Sequence, residues 1–291
     1  MKSLCVLKHW SWCRLIVVSI ISVASITGCG DISTTAGVGS GGTGTVVVAG
    51  LVADGYLVNA SVFLDKNNNY QLDAGEPNTT TDVNGGYKLN LDPADVGKYP
   101  IVALVIKGVT IDKDTNQPVA NSYLLSMPKN TVSGSASNNF ISPATSQLRE
   151  MMETGLYATV QQAMDALRTK MGLMLGTDVM SDYIATGNTT MHTGAQNMAT
   201  LMGNQMGQVF LTSGSTTIVD VNRYRAMMGM IFSNMSTPMG TSTQTTMSTL
   251  NNNIMTMMST MTPMNPGQPY RNMSTSFRGT MPGMNTGWTM F

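Results

Sequence analysis

Apolar and polar positions alternate with different periods in successive parts of the chain. Residues 15–27 are one uncharged, largely apolar run, preceded by Lys2, Lys8 and Arg14. From residue 46 to about 127, short β-rich runs (46–48, 61–64, 87–89, 101–106 and 122–125) are separated by turn residues. Several strands at this spacing, with no helical periodicity between them, predict a small antiparallel sandwich. Within it Asp82, Val83, Asn84, Gly85 and Gly86 predict a hairpin turn, since Asn-Gly supplies the positive φ angles of a tight turn. A domain of roughly 80 residues is marginal on its core alone, so an internal staple is expected.

At residue 142 the period becomes helical. Ser142 caps a proline at the first helical position, and Leu148, Met151 and Met152 share a face until Gly155. Thr159 and Gln162 make a capping box, followed by an apolar stripe of Val160, Met164, Leu167 and Met171 that ends at Gly172. Two more amphipathic stretches are expected, at 195–210 and 220–235, the second opening on Asp220 as its cap. Beyond residue 236 the chain is Thr, Ser, Asn, Gly, Pro and Met with no acidic residue. That composition predicts disorder, interrupted by one short helix near 247–258.

The expected fold class is therefore α+β: a small antiparallel β-sandwich of Ig-like or prealbumin-like type, then an α-helical Met-rich region and a disordered tail. The expected segments are 1–28, 29–45, 46–130, 141–235 and 236–291.

Composition narrows the function. The 291 residues carry 16 Lys and Arg against 16 Asp and Glu. A chain so weakly and evenly charged is not an electrostatically driven nucleic-acid binder. Nor is it a multi-span membrane protein, because the run at 15–27 reaches only ~20 Å of a ~30 Å hydrocarbon core.

That run has the build of a secretory signal, closing on Ile26, Thr27, Gly28 and Cys29. The tetrapeptide resembles the lipobox of bacterial lipoproteins. The resemblance implies cleavage before Cys29, lipidation of its sulfur and amine, and membrane attachment through those lipids. Gly30 in place of the aspartate that retains such proteins in the inner membrane implies the outer membrane of a Gram-negative cell envelope. The Gly-rich stretch from Cys29 to residue 45 is then a flexible tether.

Signal cleavage removes Cys5, Cys13 and His9, so no disulfide or thiol nucleophile is expected and His192 is the one remaining histidine. It is expected to be a surface or cap residue without catalytic partners. No catalytic residue is assigned.

The sharpest chemical pattern runs from Asp65 to Glu76. Asp65, Asn67, Asn69, Asp73 and Glu76 fall at positions 1, 3, 5, 9 and 12 of a twelve-residue loop, and Gln71 offers its backbone carbonyl at position 7. That is calcium-loop spacing, for a hard cation that takes six to eight oxygens. Position 6 is Tyr70, where such loops use glycine for a sharp turn.

The stretches Gly55, Tyr56; Asn59 through Asn69; Leu72 through Pro77; and Thr80 through Tyr87 resemble the B-type repeats of Gram-positive serine-aspartate adhesins and related carboxypeptidase-regulatory-like modules. The resemblance, covering about 45 to 130, implies a sandwich made rigid by calcium and no catalytic centre. Ile141, Ser142, Pro143, Ala144 and Thr145 resemble the region that follows such modules in lipoproteins of environmental Gram-negative bacteria.

All of the 27 methionines except Met1 and Met127 lie beyond residue 150. At helical spacing they read as core or as a surface for a protein partner. Met255, Met257, Met258, Met261 and Met264 also suggest soft-metal binding, because thioethers select Cu(I) and Ag(I). The expected function is a non-enzymatic, lipid-anchored envelope protein with a calcium-stabilised module, the alternative being periplasmic copper or silver binding.

Overall fold

A computed structural model describes residues 44–134, 139–213, 216–240 and 244–263. Cys29, the segment before it, most of the tether, and Met264 with the chain that follows lie outside the described residues.

The strand-rich half contains three small sheets. β1 (Val46–Val52) lies between β5 (Gly86–Leu91), antiparallel, and β10 (Phe140–Ile141), parallel. β3 (Ser61–Leu64) is flanked by β4 (Asn78–Thr80) and β6 (Ile101–Val105), and β6 pairs with β9 (Tyr123–Met127), all antiparallel. β2 (Leu57–Val58), β7 (Ile111–Asp112) and β8 (Gln117–Pro118) form the third.

The Asp82–Gly86 turn forms, but it does not close the expected hairpin. The Gly85 amide donates to the Asp82 carbonyl at 3.0 Å, and Asp82 Oδ1 accepts from Asn84 and Gly86 amides at 2.8 and 2.9 Å. Its flanking strands pair elsewhere, β4 with β3 and β5 with β1. The turn therefore carries the chain from one sheet to another. Tight-turn chemistry fixes the reversal and leaves open which partner each strand finds.

The helices are α1 (Pro143–Glu153), α2 (Val160–Met171), α3 (Thr189–Val209), α4 (Val221–Ser233), the short α5 (Ser236–Met239) and α6 (Gln244–Thr260). Their starts follow the caps in the sequence. Thr159 accepts from the Gln162 amide at 3.2 Å, Asp220 accepts from the Arg223 amide at 3.1 Å, and Gly172 ends α2 in the left-handed region. Ser142 and Thr145 satisfy each other's backbone amides at the start of α1. Because Ser142 is fully buried, its amide partners cannot be replaced by water. Ser142→Ala is expected to lower stability by about 1–2 kcal/mol, read as a lower urea midpoint at unchanged slope.

α1 keeps the apolar face read from the sequence, with Leu148 and Met151 fully buried, but its polar side is buried too: every residue from Pro143 to Met151 is enclosed, because β9 lies against it along with α2, α3 and α4. The short helix expected near 247–258 is present and longer, as α6, and the described part of the region from 236 also holds α5, which composition did not predict. Leu250, Ile254 and Met258, spaced four apart on α6, are buried. Gln205 on α3 donates to the Asn251 carbonyl at 3.1 Å, and Arg223 on α4 donates to the Met261 carbonyl at 2.8 Å. Low charge predicts disorder only where no apolar face awaits the segment, and α3 and α4 supply one. Between α3 and α4, β11 (Phe210–Ser213) and β12 (Thr216–Val219) form a hairpin that periodicity did not reveal.

One apolar core runs from Val48 through Met258, joining strands and helices. The described residues belong to a single compact unit beginning at Thr43. This removes the premise that an 80-residue sandwich must stabilise itself. No helix among the described residues is long and apolar enough to cross a membrane.

Candidate functional site

The loop from Asp65 to Glu76 leaves the end of β3 and returns to β4, and it is held together by its own side chains. Asn67 and Asn69 each donate from Nδ2 to Asp73 Oδ2, at 2.7 and 2.8 Å. Asn67 Oδ1 accepts from the Asn69 amide at 3.2 Å, and Asn69 Oδ1 accepts from the Gln71 amide at 2.8 Å. Glu76 folds back across the loop, taking the Lys66 amide on Oε1 at 2.7 Å and the Asp73 amide on Oε2 at 3.0 Å. Burial raises the Glu76 carboxyl, and the two amides oppose that rise.

Asp65 behaves differently from the other five. It is fully buried, with Oδ1 on the Asn69 amide at 3.0 Å and Oδ2 on the Tyr70 amide at 3.2 Å. Oδ2 also receives Arg149 Nη2, from α1, at 2.8 Å. Thus Asn67, Asn69 and Asp73 converge on one point, Glu76 closes the loop, and Asp65 ties its root to the helices. Gln71 contributes its amide to the loop's own bonding. No group of three or more His, Cys, Asp or Glu among the described residues is arranged to hold a metal. At that point the two asparagines present their amide nitrogens to the carboxylate, while their oxygens, the atoms a hard cation selects, accept the Asn69 and Gln71 backbone amides.

Tyr70 takes the conformation that position 6 demands, with φ of 62°. A side chain there costs of order 1–2 kcal/mol, and the ring shows what offsets it. Tyr70 is buried, its ring centroid 4.8 Å from that of Tyr224 on α4 and 3.8 Å from the Arg149 guanidinium carbon. Its hydroxyl bonds Glu150 Oε1. Burial lifts the phenol well above its ordinary range, so it stays neutral. Where glycine would only turn the loop, tyrosine turns it and pins it to the helices.

Around that pin lies an ionic cluster that the sequence did not disclose. Arg149 Nε bonds Glu153 Oε1 at 2.9 Å, Arg225 Nε lies 3.0 Å from Glu150 Oε2, and Arg225 also pairs with Glu153. With Asp65 there are three carboxylates and two guanidiniums in contact. Burial raises the Glu153 carboxyl, against the pull of Arg149, so it keeps a proton to higher pH and moves the cluster toward neutrality. The signal was present, since Arg149 and Glu150 interrupt an apolar stripe in a chain with few charges. Charged residues on a helix ordinarily read as its solvated side, and that hid them.

The methionines divide. Met258 is buried, Met257 packs against the core from a partly buried position, Met255 is 46% exposed, and Met261 follows the end of α6 half-buried. His192 is not without a partner: its Nε2 lies 2.6 Å from Asp114 Oδ2 in the turn between β7 and β8. Searches of family models, of curated proteins and of solved structures return no match to this chain.

Proposed function

We propose that the protein is a non-enzymatic, lipid-anchored component of the cell envelope, probing or holding a partner through a rigid body built from strands and helices. In this reading the 65–76 loop takes calcium. Asn67, Asn69, Asp73 and Glu76 would hold the ion with the Gln71 carbonyl, and Asp65 would serve as the loop's buried anchor. The Ig-like or prealbumin-like description of the strands belongs to the same reading, as do the anchor at Cys29 and the outer-membrane location.

The observation that supports the calcium reading is that the loop closes with its sixth residue, Tyr70, in the left-handed conformation such a loop requires, with φ of 62°; Asn67 and Asn69 now turn their amide nitrogens to Asp73 Oδ2 and would have to rotate to offer oxygen to the ion. Because the loop already satisfies its own donors and acceptors, calcium adds stability to a fold that does not depend on it. Calcium at about 100 times its dissociation constant is expected to add ~2.7 kcal/mol, seen by calorimetry as a higher Tm than in chelator. Asp73→Ala should abolish that gain while leaving the chelated protein folded. A Tm that ignores calcium in the parent protein rejects the loop as a calcium site.

The soft-metal alternative has weaker support, because burial of Met258 and the core packing of Met257 account for two of its five methionines. A protein partner for the Met-rich helices would use what remains exposed, of which Met255 is the clearest part.

A further inference from the structure

Away from the 65–76 loop, a cavity of about 480 Å³ lies between the β7–β8 turn, β9 and α3. Asp54, Asp112, Asn121, Tyr123, Thr200 and Asn204 line it, and no lysine or arginine does. Asp54 is only 8% exposed. Its Oδ2 accepts from the Tyr123 hydroxyl at 2.7 Å, while its Oδ1 has no hydrogen-bond partner. A buried carboxylate oxygen left unmet is costly, and no lysine or arginine among the described residues acts on this one.

The neighbouring acids are partly spoken for. Asp114 Oδ2 meets His192 Nε2 at 2.6 Å and Gln196 Nε2 at 2.7 Å. Asp112 Oδ1 accepts only the Asp114 amide, at 2.8 Å, and Oδ2 has a long 3.4 Å contact from Thr115. The carboxylates close directly on the backbone at Gly55, where a Cβ would overlap both Asp112 and Asp114. Negative charge is thus concentrated beside a cavity whose wall is otherwise amide, hydroxyl and apolar.

We propose that this cavity binds a small organic cation, a primary amine or guanidine, with Asp54 and Asp112 as its charged partners. A planar or tetrahedral nitrogen cation brings several N–H donors, which matches two carboxylates and the Asn121 side-chain oxygen better than a bare metal ion does; Asn204 Oδ1 already accepts from Asn121 Nδ2 at 3.2 Å. The inference is independent of calcium at the other loop, so either can fail alone.

The ionisation of Asp54 gives the test its direction. Burial pushes its carboxyl up to about 7, with Tyr123 opposing and Asp112 and Asp114 adding. The other titratable groups facing this corner are Tyr183, whose hydroxyl donates to the Ala53 carbonyl at 2.9 Å, and His192 on α3. Below that value a cation must displace the Asp54 proton, so affinity should weaken as pH falls.

The experiment is calorimetric titration of the folded protein with 1,4-diaminobutane. Saturable binding with a Kd of about 1 mM or tighter is expected at pH 8, weaker by about tenfold or more at pH 5.5. Asp54→Asn should weaken binding by about tenfold to a hundredfold and flatten its pH dependence. Asp112→Asn, at a partly exposed position, provides a second variant that keeps the fold. The proposal is overturned by no saturable uptake, by equal binding of neutral 1-butanol, or by dissociation constants unchanged in both variants.

Discussion

Replacing Arg149 with methionine is expected to lower stability by about 3–5 kcal/mol. The guanidinium is fully buried and serves three groups at once: Asp65 on the loop, Glu153 one turn along α1, and the face of Tyr70. Methionine fills much of the same volume, so the loss is mainly electrostatic, leaving Asp65 and Glu153 without their shared cation. A pH series separates charge from packing. In the variant Glu153 loses the guanidinium that opposes its burial-driven rise, so it titrates higher than in the parent, folding takes up a proton and the deficit narrows as pH is lowered. Urea denaturation at neutral and mildly acid pH checks both statements. A loss under about 1 kcal/mol would mean that the cluster is solvated like an exposed pair.

The second large effect belongs to Tyr70. Truncation to alanine removes a buried ring, for which about 3–5 kcal/mol is usual, and leaves Glu150 without the phenol. Alanine also keeps a Cβ at φ of 62°, whereas glycine adopts that angle freely. Tyr70→Gly should therefore be the more stable of the two by about 1 kcal/mol, although it has less side chain to bury. Tyr70→Phe, which keeps the ring, should cost about 1–3 kcal/mol for the unmet carboxylate. Denaturation midpoints in the order parent, Phe, Gly, Ala are expected. Alanine above glycine would refute the account of tyrosine as a strained pin.

The local chemistry of the chain was legible where one residue carries its own geometric demand. Ser142 with Pro143, Thr159, Gly172 and Asp220 mark helix ends because their bonds are made within a few residues. The runs that became β3, β6 and β9 stand out because β-branched and aromatic residues cluster there. What escaped depends on distant partners. β10 is two residues long and acquires its meaning only from lying beside β1. β4, with the sequence Asn-Thr-Thr, has no apolar signal and is ordered by pairing with β3.

The site divides in the same way. The 65–76 spacing is readable because all its ligating candidates are local, and the loop does close on itself. The partners of Asp65 and Tyr70 lie about eighty residues away on α1, beyond the reach of any periodic pattern. Asp54 and the Asp114 pairing with His192 are hidden for the same reason. Helical spacing gave the right start for α4, on its Asp220 cap, but carried it two residues past its end at Ser233, and it understated α3, which begins six residues earlier than expected on an Asn188 cap. Position 195 is buried alanine, and the turn before it, polar but for the single buried Met191, gave too short an apolar pattern to extend the helix.

The two-residue strand β10 has a mechanical meaning. It seats the connector to the helices alongside the far end of β1, so the backbone entering the body and the backbone leaving for α1 are clamped to the same sheet. There is no swivel at that passage. A pull on Val46 loads β1 along its length against β5, and the same load reaches the helices without an intervening slack segment.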